Sequence, residues 1–228
     1  MNVVTVNGVT LHYAVRGEGR PVILVHGNGE DHHLFDILTG QLTEAGYKVY
    51  APDSRGHGMN ERLSEYHYAD MAEDIYQFIK ALNLEKPAYY GHSDGGITGL
   101  LLELNHPGTL CLMAASGANL HPEGLQPSFL KEFSDIYEQK HNPLIKLMLT
   151  EPDIDPETLS SIKIPVLLTT GEHDLVLDSE TQRIADNLPD TEWITVTGED
   201  HGSYIEGSEI MGNLLLDFLR EHGYFSSK

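Results

Sequence analysis

Three side chains that could together activate an alcohol stand far apart in the chain, each soon after an apolar, strand-forming run. The runs are residues 88–90, 165–170 and 192–196, and the side chains that follow them are Ser93, Asp174 and His201. A serine hydroxyl is a weak nucleophile, so it needs an imidazole to accept its proton and a carboxylate to orient that imidazole. We therefore predict that Ser93 is a nucleophile for attack on a carbonyl carbon, with His201 a candidate for its base and Asp174 a candidate for the orienting acid.

Ser93 stands at the tip of a turn between a strand-like and a helix-like segment, in the motif Gly91-His92-Ser93-Asp94-Gly95. A sharp turn of this kind brings strand and helix so close that side chains at the two glycine positions would collide. It also places the hydroxyl at a helix N-terminus, where unpaired N–H groups and the helix dipole favour negative charge. The motif predicts a nucleophile held clear of the sheet edge.

A second glycine-rich turn is a candidate for the oxyanion hole. Residues 21–25 form a continuous apolar run, typical of a strand covered on both faces in a parallel sheet, and the run ends in His26-Gly27-Asn28-Gly29. Glycines there let a backbone N–H point into a cleft. We expect the amides of Asn28 and Asp94 to stabilise the oxyanion. An ordinary strand-to-helix turn would explain the same glycines.

Strand-like and helix-like segments alternate around these turns. Asn7-Gly8 predicts an opening hairpin. The predicted strands are residues 3–6, 10–15, 21–25, 47–51, 88–90, 110–115, 165–170 and 192–196, and the predicted helices are 34–45, 68–82, 97–104, 179–188 and 209–221. The alternation indicates an α/β fold with a mostly parallel sheet covered on both faces, whose strand carboxyl ends carry the site.

The alternation stops between residues 117 and 161. Two helix-like pieces, around 129–139 and 144–149, lie there among prolines 122, 127, 143, 152 and 156. A segment this long is more than a connection and usually covers a site, so we expect a small lid within one domain of residues 1–228. A peripheral excursion that packs elsewhere is the alternative.

Composition narrows the classes of partner. The net charge of −21 makes nucleic acid and anionic membranes poor partners, and it suits solubility more than the steering of cationic substrates. The single cysteine, Cys111 in a predicted strand, excludes an internal disulfide framework and agrees with a reducing cytoplasm. Residues 1–8 have no basic region and no long apolar stretch, so we expect neither a signal peptide nor an anchor there.

Four motifs in this order resemble those of the α/β-hydrolase superfamily over essentially the whole chain. They are His26-Gly27-Asn28-Gly29, Gly91-His92-Ser93-Asp94-Gly95, Gly171-Glu172-His173-Asp174 and Gly198-Glu199-Asp200-His201. The chain order Ser, Asp, His is also the hydrolase order. The resemblance implies an α/β-hydrolase fold with a mostly parallel eight-stranded sheet, a triad of Ser93, His201 and Asp174, an oxyanion hole at Asn28 and Asp94, and no metal or organic cofactor.

The Ser-Asp-Gly-Gly elbow is similar to that of valacyclovirase-like members, in which the acid after the nucleophile binds the ammonium of an amino-acid ester. The resemblance implies Asp94 as a substrate-binding residue; the alternative is that Asp94 only complements the helix N-terminus. The chain departs from that group in having His92, which we expect to line the pocket, in place of tryptophan, and in its short lid.

Other polar residues near the motifs are given lesser roles. Glu172, Asp178 and Asp200 are alternatives for the acid, but we expect them on the surface. His26 is expected to be structural. The pair His32-His33 is expected to be a solvated turn rather than a metal site, because no closing ligands recur at zinc-like spacing.

We therefore expect a serine hydrolase of small carboxylic esters that works through an acyl-enzyme, with some preference for amino-acid or cationic acyl groups. Three alternatives share the triad: a cofactor-free perhydrolase, a lactonase and a carbon–carbon bond hydrolase. A fourth is a ligand sensor that binds or slowly cleaves a signal molecule and passes the change to a partner. Oligomeric state and natural substrate have no signal in the sequence.

Overall fold

The computed structural model describes residues 1–226, and its centre is a sheet of eight strands in the order β1-β2-β4-β3-β5-β6-β7-β8. The strands are β1 (Asn2–Val6), β2 (Val9–Arg16), β3 (Pro21–Val25), β4 (Lys48–Pro52), β5 (Ala88–His92), β6 (Leu112–Ser116), β7 (Val166–His173) and β8 (Thr191–Asp200). Strand β2 runs antiparallel to β1 and β4, and every other neighbouring pair is parallel. The predicted mostly parallel, eight-stranded α/β architecture is confirmed.

Helices cover both faces of this sheet. They are α1 (Asp36–Glu44), α2 (Tyr68–Ala81), α3 (Asp94–Asn105), α4 (Pro127–Lys140), α5 (Pro143–Thr150), α6 (Asp178–Asn187) and α7 (Ile210–Glu221). Short 3-10 turns lie at His32–Phe35, Pro122–Gly124 and Pro156–Ser161. One core cluster joins the sheet to α1 and α7, and the other joins it to α2, α3 and α6.

The central strands contribute side chains to both core clusters, because successive side chains of a strand point to opposite faces. In β5, Tyr89 packs with the cluster of α2 and α3, whereas Tyr90 packs with that of α1 and α7. Ile23 and Leu24 divide in the same way in β3. Burial on both faces explains the unbroken apolar runs in these strands.

Two strands extend further than the sequence predicts. Strand β7 continues to His173 and β8 to Asp200, with a register shift between Gly171 and His173. A side chain at Gly171 would collide with the backbone of Asp200, so this glycine allows the two strands to stay paired at close range. The longer strands carry the candidate acid and base to the same edge. Cys111, predicted within a strand, lies immediately before β6.

The segment of residues 117–161 holds α4 and α5 and makes hydrogen bonds to the sheet edge and its loops. Near its start, Gln126 N donates to Leu175 O at 2.8 Å, and Leu177 N donates to Gly124 O at 2.8 Å. Beyond α4, Leu144 O accepts from the side chain of Asn28 at 3.1 Å. The segment therefore contacts the loops after β7 and β3, and its role as a lid stays a prediction.

Within residues 1–226, no helix has both the length and the apolar character needed to cross a membrane.

Candidate active site

Ser93 lies between β5 and α3 in a strained backbone conformation, with φ 52° and ψ −114°. A positive φ is uncommon for a residue with a side chain and is found at sites that the surroundings hold in place. Here Ser93 N donates to Ser116 O at 2.7 Å, and Gly96 N donates to Ser93 O at 2.8 Å. A Cβ at Gly91 would collide with the backbone of Gly95, as the motif predicts.

Asp174 and His201 are in direct contact at the ends of β7 and β8. His201 Nδ1 lies 2.6 Å from Asp174 Oδ1. The buried carboxylate also accepts from the amides of Gly171 and Val176, both at 3.0 Å. Burial by itself raises the pKa of Asp174, but the hydrogen bond and charge of His201 and the two amides lower it below its ordinary value on balance. The carboxylate is therefore held in its ionised form.

The imidazole of His201 lies beside the backbone that neighbours Ser93. A Cβ at Gly117 would come within 2.6 Å of His201 Nδ1, and Gly117 directly follows Ser116, whose carbonyl accepts from Ser93 N. Among residues 1–226 no hydrogen bond joins the Ser93 hydroxyl to the ring. Such bonds are often long without substrate and tighten when it binds. The structure thus gathers all three predicted residues at one sheet edge.

The backbone amides of Asn28 and Asp94 are the predicted donors of the oxyanion hole. Neither donates to a protein acceptor among residues 1–226. A Cβ at Gly27 would come within 3.0 Å of Ser93 Cβ, so the loop after β3 passes close to the serine. The side chain of Asn28 donates to Asp94 Oδ2 at 3.0 Å and so ties this loop to the N-terminus of α3. The two amides therefore belong to loops that contact each other.

The carboxylate of Asp94 is buried and already has protein donors. Only 5% of the residue is exposed, and Asp94 Oδ1 accepts from the hydroxyl of Tyr68 at 2.7 Å. Burial raises the pKa of Asp94 to about 6, against the opposing hydrogen bonds from Tyr68 and Asn28. Both oxygens of Asp94 thus accept hydrogen bonds from the protein. The role of Asp94 in binding a substrate cation stays a prediction.

His92 is a buried residue with partners on both ring nitrogens. Nδ1 lies 3.1 Å from Glu30 Oε2, and Nε2 lies 3.0 Å from the backbone oxygen of His201. Glu30 also accepts from Gly27 N at 2.7 Å. The sequence interpretation missed Glu30, and its one available signal was a carboxylate three residues after Gly27. Its partner His92 is 62 positions away, and such a pairing has no sequence pattern.

The remaining candidates behave mostly as expected. Glu172, Asp178 and Asp200 are exposed. The expectation of a solvated turn is wrong for His32, which is mostly buried and whose Nδ1 lies 2.7 Å from Asp53 Oδ1. Ligand atoms of Asp31, His32 and His33 lie within 4.8 Å of one another, but Asp31 caps the 3-10 turn and His32 is held by Asp53.

Comparison with known proteins identifies the fold family. Residues 20–128 match the family model described as the alpha/beta hydrolase fold. The structure is similar to an esterase from Exiguobacterium antarcticum, with a TM-score of 0.85 over 96% of this chain and 98% of that chain, at 19% sequence identity. This chain has the α/β-hydrolase fold.

Two curated relatives match most of this chain. The AB hydrolase superfamily protein YisY of Bacillus subtilis (strain 168) is 23% identical, over 92% of this chain and 95% of that protein. The putative carbamate hydrolase RutD of Variovorax paradoxus (strain S110) is 29% identical, over 92% of this chain and 96% of that protein. Family and relatives together support hydrolase activity.

Proposed function

We propose that this protein is a member of the α/β-hydrolase superfamily and a serine hydrolase that cleaves small carboxylic esters through an acyl-enzyme. The observation that carries the proposal is the 2.6 Å bond between His201 Nδ1 and Asp174 Oδ1, at the edge where Ser93 follows β5. Because Nδ1–H donates to the carboxylate, Nε2 is the nitrogen left to accept a proton. The ring is then in the tautomer that a general base requires.

The first half of the reaction forms the acyl-enzyme. Ser93 Oγ attacks the carbonyl carbon while its proton passes to His201 Nε2, and the carbonyl oxygen becomes an oxyanion. The amides of Asn28 and Asp94 donate to that oxygen, each worth about 3–4 kcal/mol in enzymes where such donors have been removed. The carbon–oxygen bond to the alcohol then breaks, and the departing alkoxide takes the proton from His201.

The second half restores the enzyme. Water attacks the acyl carbon and gives its proton to His201 Nε2, the bond to Ser93 Oγ breaks, and the serine oxygen recovers that proton. Asp174 stays ionised throughout and stabilises the imidazolium form of His201. Its lowered pKa agrees with this role.

A preference for amino-acid or cationic acyl groups is the finer part of the proposal. Beside the loop after β3 lies a cavity of about 320 Å³ with three carboxylates in its lining, Glu30, Asp31 and Glu206. These carboxylates and the net charge of −21 favour cations at this face of the molecule.

Carbamate cleavage is a second candidate, favoured by the full-length relative with that printed function. A carbamate presents a carbonyl carbon to the same nucleophile, so no residue role changes. Rates on matched p-nitrophenyl ester and carbamate substrates decide between the two.

The test compares wild type, Ser93→Ala and the control Ser134→Ala, an exposed serine of α4. With p-nitrophenyl acetate and an amino-acid ester we expect Ser93→Ala to lose about 10⁴- to 10⁶-fold in kcat and the control to keep its activity. A fluorophosphonate should label Ser93. Wild-type turnover that survives in Ser93→Ala would overturn the proposal, and a single stoichiometric burst would favour the ligand sensor.

A further inference from the structure

Each ring nitrogen of His92 faces an oxygen atom that can accept a hydrogen bond. Glu30 Oε2 lies 3.1 Å from Nδ1, and the backbone oxygen of His201 lies 3.0 Å from Nε2. A neutral imidazole carries one N–H and can donate only once, whereas the imidazolium donates from both nitrogens. With an ionised Glu30, both contacts are hydrogen bonds only when His92 is positively charged.

The same two residues join the three loops of the candidate site. Glu30 and Gly27 lie in the loop after β3, and Glu30 Oε2 accepts from Gly27 N at 2.7 Å. His92 ends β5 and directly precedes Ser93. His201 lies in the loop after β8, and its ring centroid is 4.7 Å from that of His92. Glu30 and His92 thus connect the loop after β3, the end of β5 next to Ser93, and the residue predicted to be the base, His201.

We propose that the buried His92 and the partly exposed Glu30 form an ion pair that positions the base of the reaction, with the His92 imidazolium donating to the His201 carbonyl and Glu30 holding both His92 and Gly27. This inference deepens the proposed function and rests on it. His92 is here a positioning residue, in place of the pocket-lining role expected from sequence.

The charges around His92 favour this pair. Facing it are Glu30 from the loop after β3, Asp94 from α3, Asp174 from the loop after β7 and His201. Burial alone would lower the pKa of His92, but the hydrogen bond and charge of Glu30, the His201 carbonyl and Asp174 raise it above its ordinary value. Burial likewise opposes ionisation of Glu30, yet His92 and Gly27 lower its pKa. Each partner stabilises the charged form of the other.

The pair also has an electrical consequence for the base. A positive charge on His92 disfavours a second positive charge on the adjacent His201. A neutral side chain at position 92 removes that effect and leaves Glu30 unbalanced. The acid limb of the pH profile of kcat/KM, which reports the base of the free enzyme, should then move to higher pH.

The kinetic test uses His92→Gln, Glu30→Gln and a matched control, His106→Gln. His106 also contacts a carboxylate, with Nε2 2.8 Å from Glu73 Oε2, but lies at the far end of α3. We expect His92→Gln to lower kcat by about 10- to 100-fold with a smaller change in KM, as for other groups that orient a reacting residue. Its acid limb should move up, whereas that of Glu30→Gln should stay or move down.

Either of two results would overturn the ion pair. One is a His92→Gln variant that matches His106→Gln in kcat and pH profile. The other is a shift of the acid limb in the same direction in both site variants, which general loosening of the site would produce.

A measurement on wild type covers the case in which His92→Gln does not fold. Nitrogen-15 NMR of the histidine rings should show both nitrogens of His92 protonated at pH 7, and a singly protonated ring there would refute the pair. Fluorophosphonate labelling of wild-type Ser93 tests the hydrolase itself. An unlabelled, inactive wild type with a doubly protonated His92 would remove the proposed function but leave the ion pair standing.

Discussion

Two pairs of histidines lie at the same edge of the sheet and have opposite electrical environments. The rings of His26 and His57 are 5.0 Å apart, and those of His92 and His201 are 4.7 Å apart. The two pairs differ in their hydrogen-bond partners. The rings of His26 and His57 bond to backbone groups, whereas those of His92 and His201 contact the carboxylates of Glu30 and Asp174.

The first pair is neutral because each ring must accept a hydrogen bond. His26 Nε2 accepts from Ser54 N, and His57 Nε2 accepts from Gly29 N, both at 3.0 Å. A nitrogen that accepts cannot carry a proton. Burial, the largest effect, lowers the pKa of both rings, that of His57 to about 4. These two residues hold loops together without charge.

In the second pair, Glu30 faces His92 and Asp174 faces His201, so positive charge on either ring is stabilised. Burial and residue type are therefore poor guides to the role of a histidine. The partner of each ring nitrogen decides whether the residue is a structural link or can take up a proton.

The largest effect is expected from a substitution that disrupts the contacts of the second pair. Asp174→Asn replaces an acceptor for His201 Nδ1–H with a group that can stabilise the wrong tautomer, so kcat should fall by about 10⁴-fold. Steady-state kinetics with p-nitrophenyl acetate measures the loss. The control is Asp178→Asn, at an exposed position, and a comparable loss there would contradict the assignment of the acid.

Breaking the first pair should reduce stability. His57→Leu leaves Arg55 O buried without a partner and also removes the part-buried acceptor of Gly29 N. We expect about 1–3 kcal/mol less free energy of unfolding in urea, which is the cost of one unpaired buried group. His57→Gln, which can accept and donate at similar places, should recover much of this. Equal losses in both variants would indicate that packing, and not hydrogen bonding, is the cause.

Acidification should also destabilise the wild type through His57. Its folded pKa of about 4 lies below the ordinary 6.5, so its stabilising contribution is present above pH 6.5 and is lost as the pH falls through about 4. The shift corresponds to about 3 kcal/mol at 1.36 kcal/mol per pH unit. Urea unfolding of wild type and His57→Gln between pH 7 and 4 should show the two free energies diverge, and parallel curves would refute the neutral ring.

Asp94 should give the opposite trend within an overlapping range. Its folded pKa of about 6 lies above the ordinary 3.8, so its contribution is present below pH 3.8 and is lost as the pH rises through about 6, at most about 3 kcal/mol. Relative to Asp94→Asn, wild type should therefore lose stability between pH 4 and 7.

The same variant, Asp94→Asn, also tests cation binding by Asp94. A lower kcat/KM on an amino-acid ester with unchanged hydrolysis of p-nitrophenyl acetate would support that role.

The smallest effect is expected outside both pairs. His33 is exposed, and its Nδ1 lies 3.2 Å from an exposed Asp36. His33→Gln should change the free energy of unfolding by less than about 0.5 kcal/mol. A larger change, or a change in kcat, would show that the loop after β3 depends on more than its buried contacts.

Much of the candidate site could be predicted because its parts leave local signals. The elbow needs Gly91 and Gly95 for steric reasons, and Asp174 and His201 follow apolar runs that place them at one sheet edge. The ends of β7 and β8 could not be predicted, since their last residues stay paired through mutual contact at Gly171 rather than through apolar character.

The sequence by itself determined the order of strands and helices, the tight turn at Ser93 and the chain order of its predicted partners, because backbone sterics and apolar periodicity act over a few residues. Only the tertiary structure decided which groups face each histidine ring and how Asp94 is buried. The deciding contacts join distant residues: Glu30 with His92, His57 with Gly29, and Asp94 with Tyr68 and Asn28. Protonation depends on the atoms that face each group, and folding alone brings those atoms together.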